Sequence, residues 1–273
     1  MERTPVSVDT IAVIGCGNMG GAMLVGFIKR QGIAPGRVIA CDRHPERLEI
    51  IAGELGCETT DSPTSAAKRA DVIVLAVKPK DASAVLLELK SALAQRANSP
   101  LLISVVSGLT LERLDRELEQ SARLVRVMPN IACMVGVGLS AIYSENVADQ
   151  VKAEQLFKGI GDTVTVETED HLEIATGLAA SAPAFLFVII EALADGGVKM
   201  GLSRETALAM AAKMVRGSAA MVVETAMHPA QLKDMVASPA GTTIAGLHIL
   251  EQAGIRGTLI SALEASVQKA RQR

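Results

Sequence analysis

A chain of 273 residues has room for one large domain or two ordinary ones, and a hydrophobic fraction of 49% is ample for packed interiors. The formal charge of −3 leaves no basic excess, so neither nucleic acid nor an anionic membrane surface finds electrostatic support, and a small-molecule ligand is the better expectation. Aromatic residues are 2% of the chain, with no Trp and one Tyr, which removes the stacking platforms that single-stranded nucleic acid uses.

From residue 11 to residue 166 short β-branched runs alternate with longer stretches of helical spacing, the pattern of repeated βαβ units. The first expected strand, 11–14, runs into Gly15-Cys16-Gly17-Asn18-Met19-Gly20 and a helical stretch at 21–31. Alone, G-x-G-x-x-G is a weak pattern; between a strand and a helix it points to a dinucleotide. There Gly15 allows a tight turn, Gly17 lets the backbone approach a pyrophosphate, and Gly20 lets helix pack on strand, while the helix N-terminus offers N–H donors. A glycine turn without a nucleotide is the competing explanation.

The second expected strand, 37–42, ends in Cys41-Asp42-Arg43-His44, with Asp42 22 residues beyond Gly20. An acid at this place accepts hydrogen bonds from the adenosine ribose and repels a 2′-phosphate, whereas an Arg attracts the phosphate. Asp42 therefore speaks for NADH and Arg43 for NADPH, and the choice stays open; either residue is alternatively a solvated loop charge. Further strands are expected at 71–77, 100–104, 123–127, 138–143 and 163–166, with helices such as 45–55 and 82–94 between them. Ligands of open α/β sheets lie beyond the carboxyl ends of the strands. Two such ends, Ala76-Val77-Lys78-Pro79 and Met128-Pro129-Asn130, place a Pro directly after a buried strand, where the chain is expected to turn sharply. Lys78 is suited to neutralising phosphate or ribose oxygens, and equally to being a surface lysine.

After Thr168 the strand pattern stops, and Ala, Met and Leu predominate with Gly or Pro at intervals. The expected fold is thus α/β, a Rossmann-type doubly wound sheet over 1–167 followed by an all-helical domain over 168–273. Helices apolar nearly all round, as at 185–193 and 207–215, need cover on every side. A second subunit is expected to supply part of it; a monomeric bundle is the alternative. The longest unbroken apolar runs, 72–77 and 182–190, fall short of the roughly 20 residues of a membrane helix, so no membrane span is expected.

Near the end of the chain a short helix beginning at His228-Pro229 gives way to Ser238-Pro239-Ala240-Gly241-Thr242-Thr243, with a new helix starting near Thr242. Hydroxyls and free backbone N–H groups converge at that helix start, which suits a carboxylate even without Lys or Arg; plain helix capping is the bland alternative. His44, His171, His228 and His248 show no metal-ligand spacing, and no metal is expected. Cys16, Cys41, Cys57 and Cys133 form no CxxC pair and nothing about the N-terminus looks secretory, so free thiols in a reducing cytoplasm are expected.

The glycine loop, Ala76-Val77-Lys78-Pro79, Arg126-Val127-Met128-Pro129-Asn130, Pro183-Ala184-Phe185, Glu191 through Val198, His228-Pro229 through Lys233-Asp234, and Ser238 through Thr243 follow one another in an order that resembles the pyrroline-5-carboxylate reductases over nearly the whole chain. The resemblance implies reduction of a cyclic imino acid to L-proline with NADPH or NADH, in a homodimer with interlocked helical domains that assembles further into decamers. It also implies that Ser238, Ala240, Gly241, Thr242 and Thr243 hold the substrate, with the Thr243 hydroxyl at the ring nitrogen, and that residues 15–20, 76–79 and Asn130 line the cofactor. The chain departs from the family pattern in Ala179-Ala180-Ser181-Ala182-Pro183, in Ala240 where Gly is frequent, and in Cys41-Asp42-Arg43 at the ribose. Ala at a Gly position is expected only where φ is negative. A β-hydroxyacid dehydrogenase is the nearest rival, but the first long helix of the second domain has no Lys before Lys199 to act as its acid. A regulatory protein that keeps the fold without catalysis is the other.

Overall fold

The protein is described by a computed structural model covering residues 9–272; the outermost parts of the two expected domains, 1–8 and 273, lie outside the described residues. Two compact units divide the chain, one running to Ala180 and taking in the last turns from Ser266, the other spanning Ser181–Ala265.

The first unit follows the alternation of its sequence: β1 (Ile11–Ile14), α1 (Asn18–Val25), β2 (Val38–Cys41), α2 (Pro45–Leu55), β3 (Glu58–Thr60), α3 (Pro63–Arg69), β4 (Val72–Leu75), α4 (Pro79–Leu93), β5 (Leu101–Ser104), α5 (Leu111–Leu118), β6 (Arg123–Pro129), β7 (Gly138–Tyr143), α6 (Val147–Phe157), β8 (Gly161–Thr165) and α7 (Glu169–Ala175). One sheet of eight strands has the order β3-β2-β1-β4-β5-β6-β7-β8. Every neighbouring pair is parallel except β6 with β7. The strand order reverses between β1 and β4, and a doubly wound sheet opens its ligand crevice at such a reversal.

Period-two alternation along the buried strands sends side chains to two cores. Ile11 and Val13 of β1 join one face with Met23 and Phe27 beyond the glycine loop, Leu48 and Ile51 of α2, and Phe157 of α6. Ala12 and Ile14 join the other with Ala66 and Ala67 of α3, Leu86 and Leu89 of α4, and Leu114 of α5. The expected doubly wound sheet covered on both faces is therefore the observed one. β3 was not among the expected strands; its three residues, Glu-Thr-Thr, carry no apolar residue and pack at an edge. Pro79 does not end a strand abruptly but opens α4 with Lys78 as N-cap, at the helix position where a missing N–H costs nothing. Pro129 lies inside β6, paired with Ser140, where β5 no longer runs alongside. A strand edge tolerates a residue without an N–H.

Within this unit Arg126 of β6 is 1% exposed and faces two carboxylates of α7, Glu169 and Glu173, at 2.8 Å each. Glu169 Oε1 also accepts the Leu111 N–H at 2.7 Å. One cation thereby joins the middle of the sheet to α7 and to the start of α5.

The second unit holds α8 (Pro183–Lys199), α9 (Arg204–Thr225), α10 (Pro229–Val236), α11 (Thr242–Gln252) and most of α12 (Ile255–Arg271). α8 and α9 meet along small residues, Ala194 against Ala207 and Ala211. A Cβ on Gly197 would stand 3.1 Å from the Ala207 Cβ, so the seam is close. Away from it the chain leaves Phe187 59%, Val188 65%, Met210 59% and Val223 79% exposed. Counting unbroken apolar runs understated these helices, since Glu169–Lys199 and Arg204–Thr225 are each long and apolar enough, by length and composition, to cross a membrane.

Replacing Arg126 by Met is expected to cost about 3–5 kcal/mol, because two carboxylates lose their shared cation. The measurement is the urea midpoint at fixed protein concentration, and an unchanged midpoint contradicts the assigned role.

Candidate functional site

The glycine loop is shaped by backbone clearances. Gly15 has φ +94°, and a Cβ there would stand 2.7 Å from the Ala76 carbonyl oxygen and 2.9 Å from the Val77 nitrogen. Its N–H donates to the Cys41 carbonyl at 2.8 Å, and Ala76 N–H donates to Ile14 at 2.8 Å, so the turn is sewn to the ends of both β2 and β4. A Cβ on Gly20 would lie 1.9 Å from the Gly15 carbonyl oxygen, which excludes every side chain. At Gly17 nothing stands within 4 Å, so this backbone faces open space. Helix α1 begins at Asn18 with no side chain capping its N-terminus, leaving the first N–H groups free for an anion.

Asn18 is exposed and Met19 half-buried on the first turn, Met19 with its Sδ 3.3 Å from Cys133 Sγ. Cys16 turns inward, its thiol donating to the Cys41 carbonyl at 3.4 Å, so only its backbone borders the crevice. Burial, with the Asp42 charge beside it, pushes the Cys16 thiol well above its usual range. Burial also holds Cys41 at about 12, so neither thiol ionises near neutrality.

The end of β2 holds the sharpest surprise. Asp42 is 7% exposed and its carboxylate is already engaged: Oδ2 accepts the Cys16 N–H at 2.7 Å and an Arg47 N–H at 2.9 Å, and Oδ1 accepts the His44 N–H at 3.0 Å. Burial on its own would raise the Asp42 pKa, but the Cys16 and His44 amides and the Arg47 guanidinium together hold it below the usual carboxylate range. Arg47 did not figure among the expected site residues; its place five residues after Asp42, on the first turn of α2, was the available sign. Arg43 is exposed and lies 3.6 Å from Asp81.

Ala76 and Val77 are half-buried beneath the loop, while Lys78 and Pro79 are exposed at the start of α4. Asn130 caps a 3-10 turn at Ile131–Val135, its Oδ1 accepting the Ala132 N–H at 3.2 Å and the Leu139 N–H at 3.1 Å, so its amide NH2 is the part left for a ligand. A cavity of about 290 Å³ opens beside the starts of α4 and α5, lined by Pro79, Val106, Ser107, Gly108, Leu109 and Arg113. The Ser107 hydroxyl is buried there without a partner. The stretch after β5 is a strand end of the same kind as 76–79, and its position beyond the sheet is the sign in the sequence that marks it.

In the second unit the expected turn is present. His228 caps α10, its Nδ1 accepting the Ala230 N–H at 3.2 Å while Gln231 accepts the His228 N–H at 3.3 Å, so this histidine has a structural duty. Gly241 N–H closes on the Ser238 carbonyl at 3.0 Å, with Pro239 and Ala240 between them, and α11 follows from Thr242 without a side-chain cap. Ser238 Oγ lies over Gly241, only 2.2 Å from where a Cβ would be. The hydroxyls of Ser238, Thr242 and Thr243 thus stand beside free helix N–H groups rather than satisfying them. Ala240 has φ +56°, against the expectation that alanine is used here only at negative φ. A turn with Pro in its second position and a positive φ in its third is of type II, which normally takes Gly or Asn there. Ala182, by contrast, has φ −61° and fits helical backbone.

Residues 169–273 match the family model described as pyrroline-5-carboxylate reductase dimerisation, and residues 10–108 match that for NADP oxidoreductase, coenzyme F420-dependent. The chain is 41% identical to a pyrroline-5-carboxylate reductase of Methanosarcina acetivorans over 93% of both chains. A solved pyrroline-5-carboxylate reductase from Coxiella burnetii is 33% identical, with a TM-score of 0.91, covering 97% of this chain and 98% of that one. A Plasmodium falciparum pyrroline carboxylate reductase solved with NADP bound is 30% identical, with a TM-score of 0.85 and 97% of each chain covered.

Ala240→Gly is expected to leave thermal stability unchanged or to raise it by up to about 1 kcal/mol, since relief of the left-handed strain is set against the greater freedom of glycine when unfolded. Ala240→Val, which puts a β-branched residue at positive φ, is expected to melt earlier and to lose substrate affinity. Equal melting temperatures and substrate KM values for the Gly and Val variants contradict the turn as described.

Proposed function

The chain belongs to the pyrroline-5-carboxylate reductase family, and from that premise we propose how its residues divide the reduction of 1-pyrroline-5-carboxylate to L-proline, the last step of proline biosynthesis. It is an NAD(P)H-dependent oxidoreductase acting on a C=N bond. The loop fits the cofactor on its own geometry: open space at Gly17, an uncapped helix start, and Gly15 and Gly20 positions too close to other backbone for a side chain. Within Gly15 through Gly20 the N–H groups from Gly17 onward would hold the pyrophosphate, with Gly15 and Cys16 shaping the turn through their bonds to Cys41 and Asp42; Asp42 and Arg43 would border the adenosine ribose, and Ala76 through Pro79 with Asn130 would line the remainder. When bound, the nicotinamide supplies a hydride.

The substrate end is assigned to Ser238 through Thr243. The free N–H groups at the start of α11, with the Ser238 and Thr242 hydroxyls and the backbone of Ala240 and Gly241, hold the substrate carboxylate. The Thr243 hydroxyl meets the ring nitrogen. The protonated imine carbon would accept the hydride pair while the C=N π pair passes to nitrogen, whose existing proton becomes the N–H of the secondary amine. A protonated imine is already electrophilic, so orientation carries most of the rate and no strong acid is required. The carrying observation is the three unengaged hydroxyls beside an uncapped helix start in a chain that also has the dinucleotide turn.

The chain forms homo-oligomers through residues 169–273, which explains the apolar faces of α8 and α9 by a partner chain rather than lipid. We assign the finer arrangement to a homodimer with interlocked helical domains, assembling to a decamer, in the cytoplasm.

Thr243→Val is expected to lower kcat/KM for 1-pyrroline-5-carboxylate by about 10²-fold, in the range of a lost orienting hydroxyl, with the Kd for NAD(P)H unchanged. Wild-type turnover and substrate affinity in this variant across several pH values would remove Thr243 from the mechanism.

A further inference from the structure

The residue at the end of β2 is where a Rossmann-type unit ordinarily reads the ribose, and an acid there ordinarily favours NADH over NADPH. Asp42 is in that place by sequence, yet its carboxylate is turned into the protein. Two oxygens provide about four acceptor positions. Three are occupied, by the Cys16 amide, the His44 amide and the Arg47 guanidinium, at 2.7, 3.0 and 2.9 Å. The side chain is 6% exposed, and the Arg47 cation lies in direct contact with it. Cys16 is the second residue of the glycine loop, 26 positions away in sequence, and its N–H points at Asp42 rather than into the crevice.

We propose that Asp42 is a positioning residue for the cofactor loop, holding the Cys16 amide and hence the Gly15–Gly17 turn against β2, and that it does not discriminate between NADH and NADPH. The inference rests on the cofactor end assigned above and deepens it by separating Asp42 from Arg43, whose side chain is 68% exposed with its guanidinium 3.6 Å from Asp81. The physical basis is twofold. A carboxylate paired with Arg47 presents little net charge to a 2′-phosphate. Its removal leaves a buried Cys16 amide without an acceptor, which loosens the loop for both cofactors alike.

The test compares wild type, Asp42→Ala and Asp42→Asn by calorimetric Kd for NADH and for NADPH, and by hydrogen exchange of the 15–20 amides in the cofactor-free protein. Expected are a weakening of about tenfold for both cofactors in Asp42→Ala, a Kd ratio within fivefold of wild type, and faster exchange at Cys16. Asp42→Asn keeps an acceptor oxygen and is expected to recover part of the loss for both cofactors, again without moving the ratio. A ratio shifted more than fivefold toward NADPH in either variant overturns the proposal, as does unchanged Cys16 exchange in both. Absence of NADH and NADPH binding by the wild type would instead remove the reductase assignment, and this inference with it. Poor folding of Asp42→Ala leaves the ratio in Asp42→Asn to decide.

Discussion

The carbonyl oxygen of Gly15 lies where a side chain on Gly20 would have to begin, and the body of Gly15 presses on the Ala76 carbonyl. This closeness is the condition for the rest of the first unit. It lets α1 start directly beneath the turn, so that helix N–H groups and not side chains face the crevice. It also brings the ends of β1, β2 and β4 within hydrogen-bonding reach of one loop. A small change in that spacing would displace the start of α1, the Asp42 contacts and the strand-end backbone together, because close-packed interiors transmit displacements instead of absorbing them.

Much of this was legible in the amino-acid order for physical reasons. β1 and the glycine loop announce themselves because a buried strand is continuously apolar and the turn tolerates only Gly at two places. α2 was readable to its ends, since Pro45 opens it and Gly56, at φ +65°, closes it. β3 was not, because three polar residues at a sheet edge follow no hydrophobic period. The meaning of Pro129 was hidden as well: its place within β6 depends on where the neighbouring strand stops, a property of the sheet and not of the local chain.

The candidate site shows the same division. The residue types at 15–20 and 238–243 carry their chemistry in the sequence. What they do with it depends on partners far along the chain. Asp42 stands where a ribose contact is expected, and its hydrogen bonds to Cys16 and Arg47 are set by the folded chain rather than by any local pattern. Ala240 looked compatible only with ordinary backbone, and the turn between Ser238 and Gly241 holds it at positive φ. In the helical unit, composition alone demanded cover for α8 and α9. The small-residue seam between those helices buries too little to supply it within one chain, and the dimerisation match over 169–273 identifies the source.

The reaction this arrangement serves is hydride transfer from NAD(P)H to the imine carbon of a cyclic imino acid. It is tested most directly by letting the enzyme reduce 1-pyrroline-5-carboxylate with cofactor deuterated at both C4 positions of the nicotinamide, then locating the label in the product. The expected product is proline bearing a single deuterium on the ring carbon that had been the imine carbon. Proline formed without deuterium, or with the label elsewhere on the ring, would contradict it, and so would oxidation of the cofactor without proline.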